Sequence, residues 1–315
     1  LLHVLPDDAD DAWNMNYRHP PVDLNRPREI SLVEYGPVRA TLKVVQAYQG
    51  KKREQPTPDF PTSFFTQYLS LYDGLPYMEV RNQASWWEEH KVLKVGFPLN
   101  VHAAQARYEI PYGSITRPTG STTRFEKARF EVPAQRWADL SADGYGVSLI
   151  NDCKYGYDVK DNVMRLTLLR SSTYPDPSAD KGFHEYNYVL YPHAGDFYQA
   201  GVVQKSYEYN EPLQVLRTPA HKGELSRSHS FITVESDHVI LNAVKKAEEG
   251  EGWILRFYEI AGKEGTVVTR FDRSLKRVEE VNLIEDSLRS VSSSRDSFVY
   301  RIKANEIRTF RVEWR

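Results

Sequence analysis

Apolar and polar residues alternate with a period of two along most of this chain, at 38–46, 64–72, 77–82, 92–97, 107–110, 186–191, 253–259, 265–271 and 307–314. That period places successive side chains on opposite faces of an extended strand, so each segment can bury one face and wet the other. Gly, Pro and Asp clusters separate the segments, as the turns of antiparallel sandwiches require. The 18 prolines are spread so that few windows could hold a helix of ordinary length, and no long segment carries a helical period. The 20 tyrosines and 6 tryptophans suit half-buried strand faces, where a large ring packs with one polar edge in water. An all-β, antiparallel protein is expected.

Length and punctuation set the organisation. A chain of 315 residues with 40% hydrophobic content can bury a core and points to about two domains. Between residues 204 and 230, Asn210-Glu211-Pro212, Thr218-Pro219 and Gly223 break the strand pattern. The expected division is a large β-sandwich over 1–210, a linker over 211–229 and a small β-sandwich over 230–315. Residues 247–252 read as a charged turn, 287–297 as a disordered Ser-rich loop, and 51–61 as a surface loop. No internal repeat is visible.

Charge and cysteine usage exclude several classes of function. A net charge of −2 gives no concentrated basic surface for nucleic acid or an anionic membrane. The lone Cys153 permits no disulfide within the chain and no cysteine-based zinc cluster, which is compatible with a reducing, cytoplasmic setting. No apolar run approaches the roughly 20 residues that span a bilayer. The chain opens on Leu1-Leu2-His3-Val4 without methionine and without signal-peptide features, so a piece of a longer protein is expected.

Residues 138–193 concentrate unusual polar and aromatic groups. The alternating run Gly146-Val147-Ser148-Leu149-Ile150, the polar stretch Asn151-Asp152-Cys153-Lys154-Tyr155-Gly156-Tyr157 and the run starting at Val163 read as a hairpin with a decorated tip. Together with Asp11-Ala12-Trp13, Leu93-Lys94-Val95-Gly96-Phe97-Pro98, Tyr108-Glu109-Ile110-Pro111-Tyr112-Gly113, Arg117-Pro118, Arg129-Phe130-Glu131-Val132-Pro133-Ala134, Trp137-Ala138-Asp139-Leu140-Ser141 and Pro175-Asp176-Pro177, this segment resembles the C-terminal half of the glycoside hydrolase family 38 α-mannosidases, in their bacterial and cytosolic branch. The resemblance covers most of residues 1–205. It continues more loosely through Val239-Ile240-Leu241-Asn242-Ala243-Val244-Lys245 and Arg256-Phe257-Tyr258-Glu259.

The resemblance implies a galactose mutarotase-like super-sandwich followed by a smaller sandwich. It also implies zinc-assisted, retaining hydrolysis of terminal α-mannosyl residues, with nucleophile, acid/base carboxylate and zinc ligands on an N-terminal catalytic domain that this sequence lacks. No catalytic residue and no metal ligand are therefore assigned here, and the partners expected are that catalytic domain and an α-mannoside. An oligomerisation scaffold is compatible with this role.

Asn151, Asp152, Lys154 and Tyr155 carry the sharpest binding hypothesis, because amide and carboxylate groups hold sugar hydroxyls while an aromatic face covers the C–H surface. The competing explanation is that Asn151 and Asp152 only build the turn. Arg170 could reach substrate or brace the loop through Asp152 or Asp176. Asp176, Asp180 and His184 are metal-ligand types but read as turn formers; His193 reads as a core or interface histidine bonded to backbone. Cys153 reads as a packing thiol, and Trp13, Trp86, Trp87 and Trp137 as sugar-stacking or packing rings. Two rival readings are a free-standing carbohydrate-binding module and an aldose epimerase using His102 and Glu109.

Overall fold

In the computed structural model, which describes residues 1–50 and 62–315, the alternating segments become strands paired antiparallel in four sheets. The loop expected over 51–61 lies outside the described residues. By packing, the chain divides into two units, one of residues 1–110 and 115–212 and the other of 111–114 and 213–315.

The first unit sets a nine-stranded sheet against a six-stranded one. The larger runs Glu29–Tyr35, Arg39–Tyr48, Ser63–Tyr72, Met78–Trp86, Gly182–Ala194, Tyr145–Asn151, Trp137–Ala142, Gln105–Ile110 and Gly113–Pro118 in spatial order. The smaller runs Val132–Pro133, Gly156–Lys160, Val163–Ser171, Lys91–Pro98, Leu2–Pro6 and Val22–Asp23. Inward side chains of both make one core, with Leu93, Val95, Tyr157 and Leu166 from one sheet meeting Val80, Tyr108, Leu149 and Tyr188 from the other. Edge-on ring pairs cross between the sheets, Phe97 with Tyr188 at 5.9 Å and Tyr108 with Tyr157 at 6.5 Å.

The expected hairpin is not formed. Tyr145–Asn151 pairs with Trp137–Ala142 and Gly182–Ala194, whereas Val163–Ser171 pairs with Gly156–Lys160 and Lys91–Pro98. Residues 152–155 thus carry the chain from one sheet to the other. The sequence hid a short strand, Gly156–Lys160, which alternates inward Tyr157 and Val159 with outward Asp158 and turns at Asp161, φ +56°. Tyr145–Asn151 is itself buried on both faces, and Gly146 is required there because a Cβ would strike Ser141 and His193.

A helix at Val202–Asn210 is also new relative to expectation. Two β-branched residues open it, which masked the period, but Val202, Val203 and Ser206 fall on one buried stripe. The Asn210 amide donates to the Ser206 and Asn151 carbonyls at its end, and the Arg136 guanidinium lies 3.6 Å from the centre of the Tyr207 ring.

In the second unit, Ile232–Glu235, Gly265–Phe271 and Ser297–Ile302 form one sheet. Val239–Lys246, Trp253–Glu259, Ile307–Trp314, Leu275–Val281 and Ser287–Ser290 form the other. Phe257, Phe298, Tyr300 and Phe310 interlock at the centre, with centroid separations of 4.7–5.9 Å. The Ser-rich segment expected to be disordered instead supplies the strand Ser287–Ser290, whose Arg289 bonds Glu280 at 2.7 Å. Backbone pairing does not depend on apolar side chains, so a polar edge strand has no periodic signature.

Candidate functional site

One end of the first unit gathers three loops. Pro6, Lys91 and Ser171 lie level in adjacent strands, so residues 7–16, 87–90 and 172–181 leave the six-stranded sheet together. Backbone bonds lace them: Asp7 N–H to the His90 carbonyl (2.9 Å), His90 N–H to Ser171 (2.8 Å), Tyr174 N–H to Asp10 (2.9 Å) and Ala12 N–H to Tyr174 (3.0 Å). Asp11 and Tyr174 form an isolated parallel bridge, so two segments far apart in sequence become neighbours.

Arg170 is the hub of this cluster. Its Nε and Nη2 lie 3.1 and 3.0 Å from Asp7 Oδ2, its Nη1 donates to the Ala12 carbonyl at 2.8 Å, and its Nη2 donates to the carbonyls of Asp11 (3.0 Å) and Asn14. Asp7 is buried, and its other oxygen accepts from the Ala9 and Asn16 N–H groups. The guanidinium therefore braces the 7–16 loop, through Asp7 and not through Asp152 or Asp176. Asp180 accepts the Arg170 backbone N–H at 2.7 Å, and Lys181 pairs with Glu89 at 2.6 Å.

On this frame stand two exposed rings, Trp13 (71% exposed) and Tyr174 (60%), 5.8 Å apart and tilted. The Asp11 carboxylate accepts from the Asn14 side chain and from the Asn14 and Trp13 N–H groups, and these bonds lower its pKa. Ser178 does the same for Asp176. Both carboxylates are held ionised, as hydrogen-bond acceptors and not proton donors. Aromatic faces beside fixed acceptors can hold a sugar. Sequence reading quoted Asp11-Ala12-Trp13 and Pro175-Asp176-Pro177 separately; only the fold shows that they meet.

Asn151, Asp152, Lys154 and Tyr155 occupy the crossover. Asn151 is buried: its amide donates to the Gln135 carbonyl (3.0 Å) and Tyr157 Oη, while its Oδ1 accepts from the Cys153 and Lys154 N–H groups. Asp152 accepts from the Asn187 N–H (3.0 Å) and side-chain amide (2.7 Å). Lys154 Nζ sits 4.9 Å from the centre of the Tyr186 ring, and Tyr155 is exposed. A pocket of about 230 Å³ opens beside them, lined by Gln135, Arg136, Asn151, Asp152, Cys153 and Tyr155. Asn151 is buried and engaged with protein groups, Asp152 is exposed but bonded to Asn187, and Tyr155 is exposed.

Two other singled-out residues, Cys153 and His193, are placed differently from expectation. Cys153 is exposed and not a packing thiol; partial desolvation and the neighbouring Asp152 carboxylate push it up to about 11, away from nucleophilic activation. His193 is buried but bonds side chains and not backbone, its Nε2 lying 2.8 Å from Asp139 Oδ2 and 3.2 Å from Ser148 Oγ. Glu109 is taken up by Arg136, through its backbone N–H (2.6 Å) and its guanidinium, while His102 is exposed. Trp86 and Trp137 are buried packing rings. Among the described residues no three His, Cys, Asp or Glu side chains converge as metal ligands. His184 Nε2 is 2.8 Å from the Asp180 carbonyl oxygen.

Residues 3–178 match the glycosyl hydrolases family 38 C-terminal domain, and residues 238–310 match the family 38 C-terminal beta sandwich domain. The chain is 32% identical over 312 residues to Alpha-mannosidase G of Dictyostelium discoideum, covering 96% of this chain and 28% of that protein. It is 44% identical over 205 residues to human Alpha-mannosidase 2C1, covering 64% of this chain and 20% of the relative. The chain thus spans only about a fifth to just over a quarter of these curated relatives. An α-mannosidase crystal structure from Enterococcus faecalis V583 superposes with a TM-score of 0.81 over 99% of this chain and 38% of that one, at 16% identity, and so shares the fold. With its larger match extending over more than half its length, this chain belongs to glycosyl hydrolase family 38, as the C-terminal region of that family's polypeptides.

Proposed function

We propose that this chain is the C-terminal part of a retaining α-mannosidase, acting from the cytoplasm, which packs on a catalytic domain elsewhere in the polypeptide and lends loops to the rim of its mannoside cleft. The observation that carries the reading is the match of nearly the whole chain to just over a quarter of a named α-mannosidase. Its chemistry then belongs to the larger remainder, including zinc, for which the described side chains here offer no converging set. Two further features support it. Ile30, Leu32, Leu42 and Leu71 lie on the core-facing side of the nine-stranded sheet, yet stand exposed on its outer strands. Such an apolar face suits permanent burial by a covalently linked domain. The braced loop cluster with Trp13 and Tyr174 supplies a rigid, partly aromatic rim, and Tyr155 a second one.

The test is hydrolysis of an aryl α-mannoside in the presence of zinc, by this chain alone and by this chain mixed with the remainder of the polypeptide. Activity is expected only in the mixture. Turnover by the chain alone would place catalytic carboxylates here and overturn the reading.

A further inference from the structure

Between the outer strands Gln105–Ile110 and Gly113–Pro118 of the larger sheet and Val132–Pro133 and Gly156–Lys160 of the smaller, a small pocket of about 50 Å³ is lined by three cations, Arg117, Arg129 and Lys160, and by three carboxylates, Glu126, Glu131 and Asp158, together with Tyr108 and Gly120. None of the three cations has a carboxylate partner or a side-chain hydrogen bond among the described residues. The Arg117 guanidinium stacks over the Tyr108 ring at 4.8 Å, and its Nη1 is buried with no acceptor at all. A buried donor left without an acceptor costs free energy, the more so when charged, and neither guanidinium can shed its proton to escape.

The three lining carboxylates do not pair with these cations, because each already has donors of its own. Asp158 is held by Lys94 at 2.8 Å and Arg165 at 2.9 Å. Glu131 is held by Lys94 at 3.0 Å and by Thr167. Glu126 closes a capping box, accepting from the Thr122 N–H (2.9 Å), the Thr122 hydroxyl (3.0 Å) and the Thr123 N–H (2.8 Å). Burial, and more weakly the neighbouring Arg129, lower the Arg117 pKa, as expected of a cation that lacks its counter-charge. Gly120 leaves open space where a side chain would stand, so nothing blocks the approach.

We infer that this pocket binds one phosphate-sized oxyanion, with the buried Nη1 of Arg117 as donor and Arg129 and Lys160 closing over it from the rim. The volume admits a single such group and no sugar ring. Because the pocket opens to solvent on one side, the phosphate can be free or can be the terminus of a phosphomonoester whose body lies outside.

Inorganic phosphate and methyl phosphate are titrated separately into the 315-residue chain, following ³¹P line broadening with ionic strength held constant by sodium chloride. Saturable broadening is expected, with the apparent Kd raised about tenfold or more in Arg117→Gln and in Arg129→Gln, since a charge-assisted bond to a phosphate oxygen is lost in each. Equal affinity for the two probes identifies an ester-accepting site, and binding of inorganic phosphate alone identifies a free-anion site. Arg129 and Lys160 are exposed, so Arg129→Gln and Lys160→Gln serve should Arg117→Gln not fold. Broadening that never saturates, or saturates equally in wild type, Arg129→Gln and Lys160→Gln, overturns the inference.

Discussion

At Cys153 the environment opposes reactivity although the residue is exposed. A thiol must ionise to attack, and a carboxylate next door makes that ionisation harder. With the pKa pushed up to about 11, the thiolate fraction at neutral pH is small and keeps growing well past the ordinary cysteine midpoint of about 8.5. Alkylation by iodoacetamide should therefore accelerate nearly tenfold between about pH 9 and pH 10, where an unperturbed thiol gains less than about a third. Asp152→Asn, which removes the charge and keeps an acceptor for Asn187, should bring the midpoint down. A rate that gains no more than about a third between pH 9 and pH 10 and plateaus above that would show that the thiol is not perturbed. The same stretch shows what sequence conceals at this scale. Asn and Asp followed by Lys and Tyr describe a sugar-binding loop and an Asx turn equally well, because both uses need the same acceptors. Only the partners, Gln135, Tyr157 and Asn187, show that Asn151 and Asp152 hold the crossover together.

The loop cluster is the element on which a rim role rests, and Arg170 is its keystone. Removing the guanidinium while keeping bulk, as in Arg170→Met, strands the buried Asp7 carboxylate and three backbone carbonyls without their donor. Breaking one side of a buried pair typically costs about 3–5 kcal/mol, and because Arg170 retains some exposure the lower end, about 3 kcal/mol, is expected in urea unfolding. Amide exchange in residues 7–16 should rise at the same time, since their backbone is anchored through this side chain. A variant with wild-type stability and unchanged exchange in that loop would remove Arg170 from this role. Strands of the first unit were legible where alternation ran unbroken, as at 38–46 and 64–72; Glu29–Tyr35, interrupted by a register shift between Leu32 and Glu34, was not. Gly156–Lys160 was not either, being five residues long with a charged residue at its centre, and its loss converted a sheet-to-sheet crossover into an apparent hairpin. The helix at 202–210 was missed for the opposite reason: nine residues give it barely more than two turns in which to show a period.

For the molecule as a whole, fold class and family could be read from the sequence because both depend on patterns spread over hundreds of residues, where single errors average out. Which surfaces are finished could not, since an apolar strand face looks the same in sequence whether or not another layer covers it. Ile30, Leu32 and Leu71 are each more than half exposed (63, 59 and 58%) although they share a sheet face with the core residues Phe65 and Val80. The six-stranded sheet does not extend over them. Left open, a face of this kind buries itself by whatever contact is available, so the isolated chain should self-associate in a concentration-dependent way in sedimentation velocity. Leu32→Ser combined with Leu71→Ser should raise the monomer fraction and change Tm little, because exposed side chains contribute little to folding. The same pair should weaken activity on mixing with the remainder of the polypeptide, since one face cannot both be polar and seat an apolar partner. If the wild-type chain is monomeric at every concentration, and the double variant reconstitutes activity as well as wild type, this sheet face is not where the catalytic domain docks.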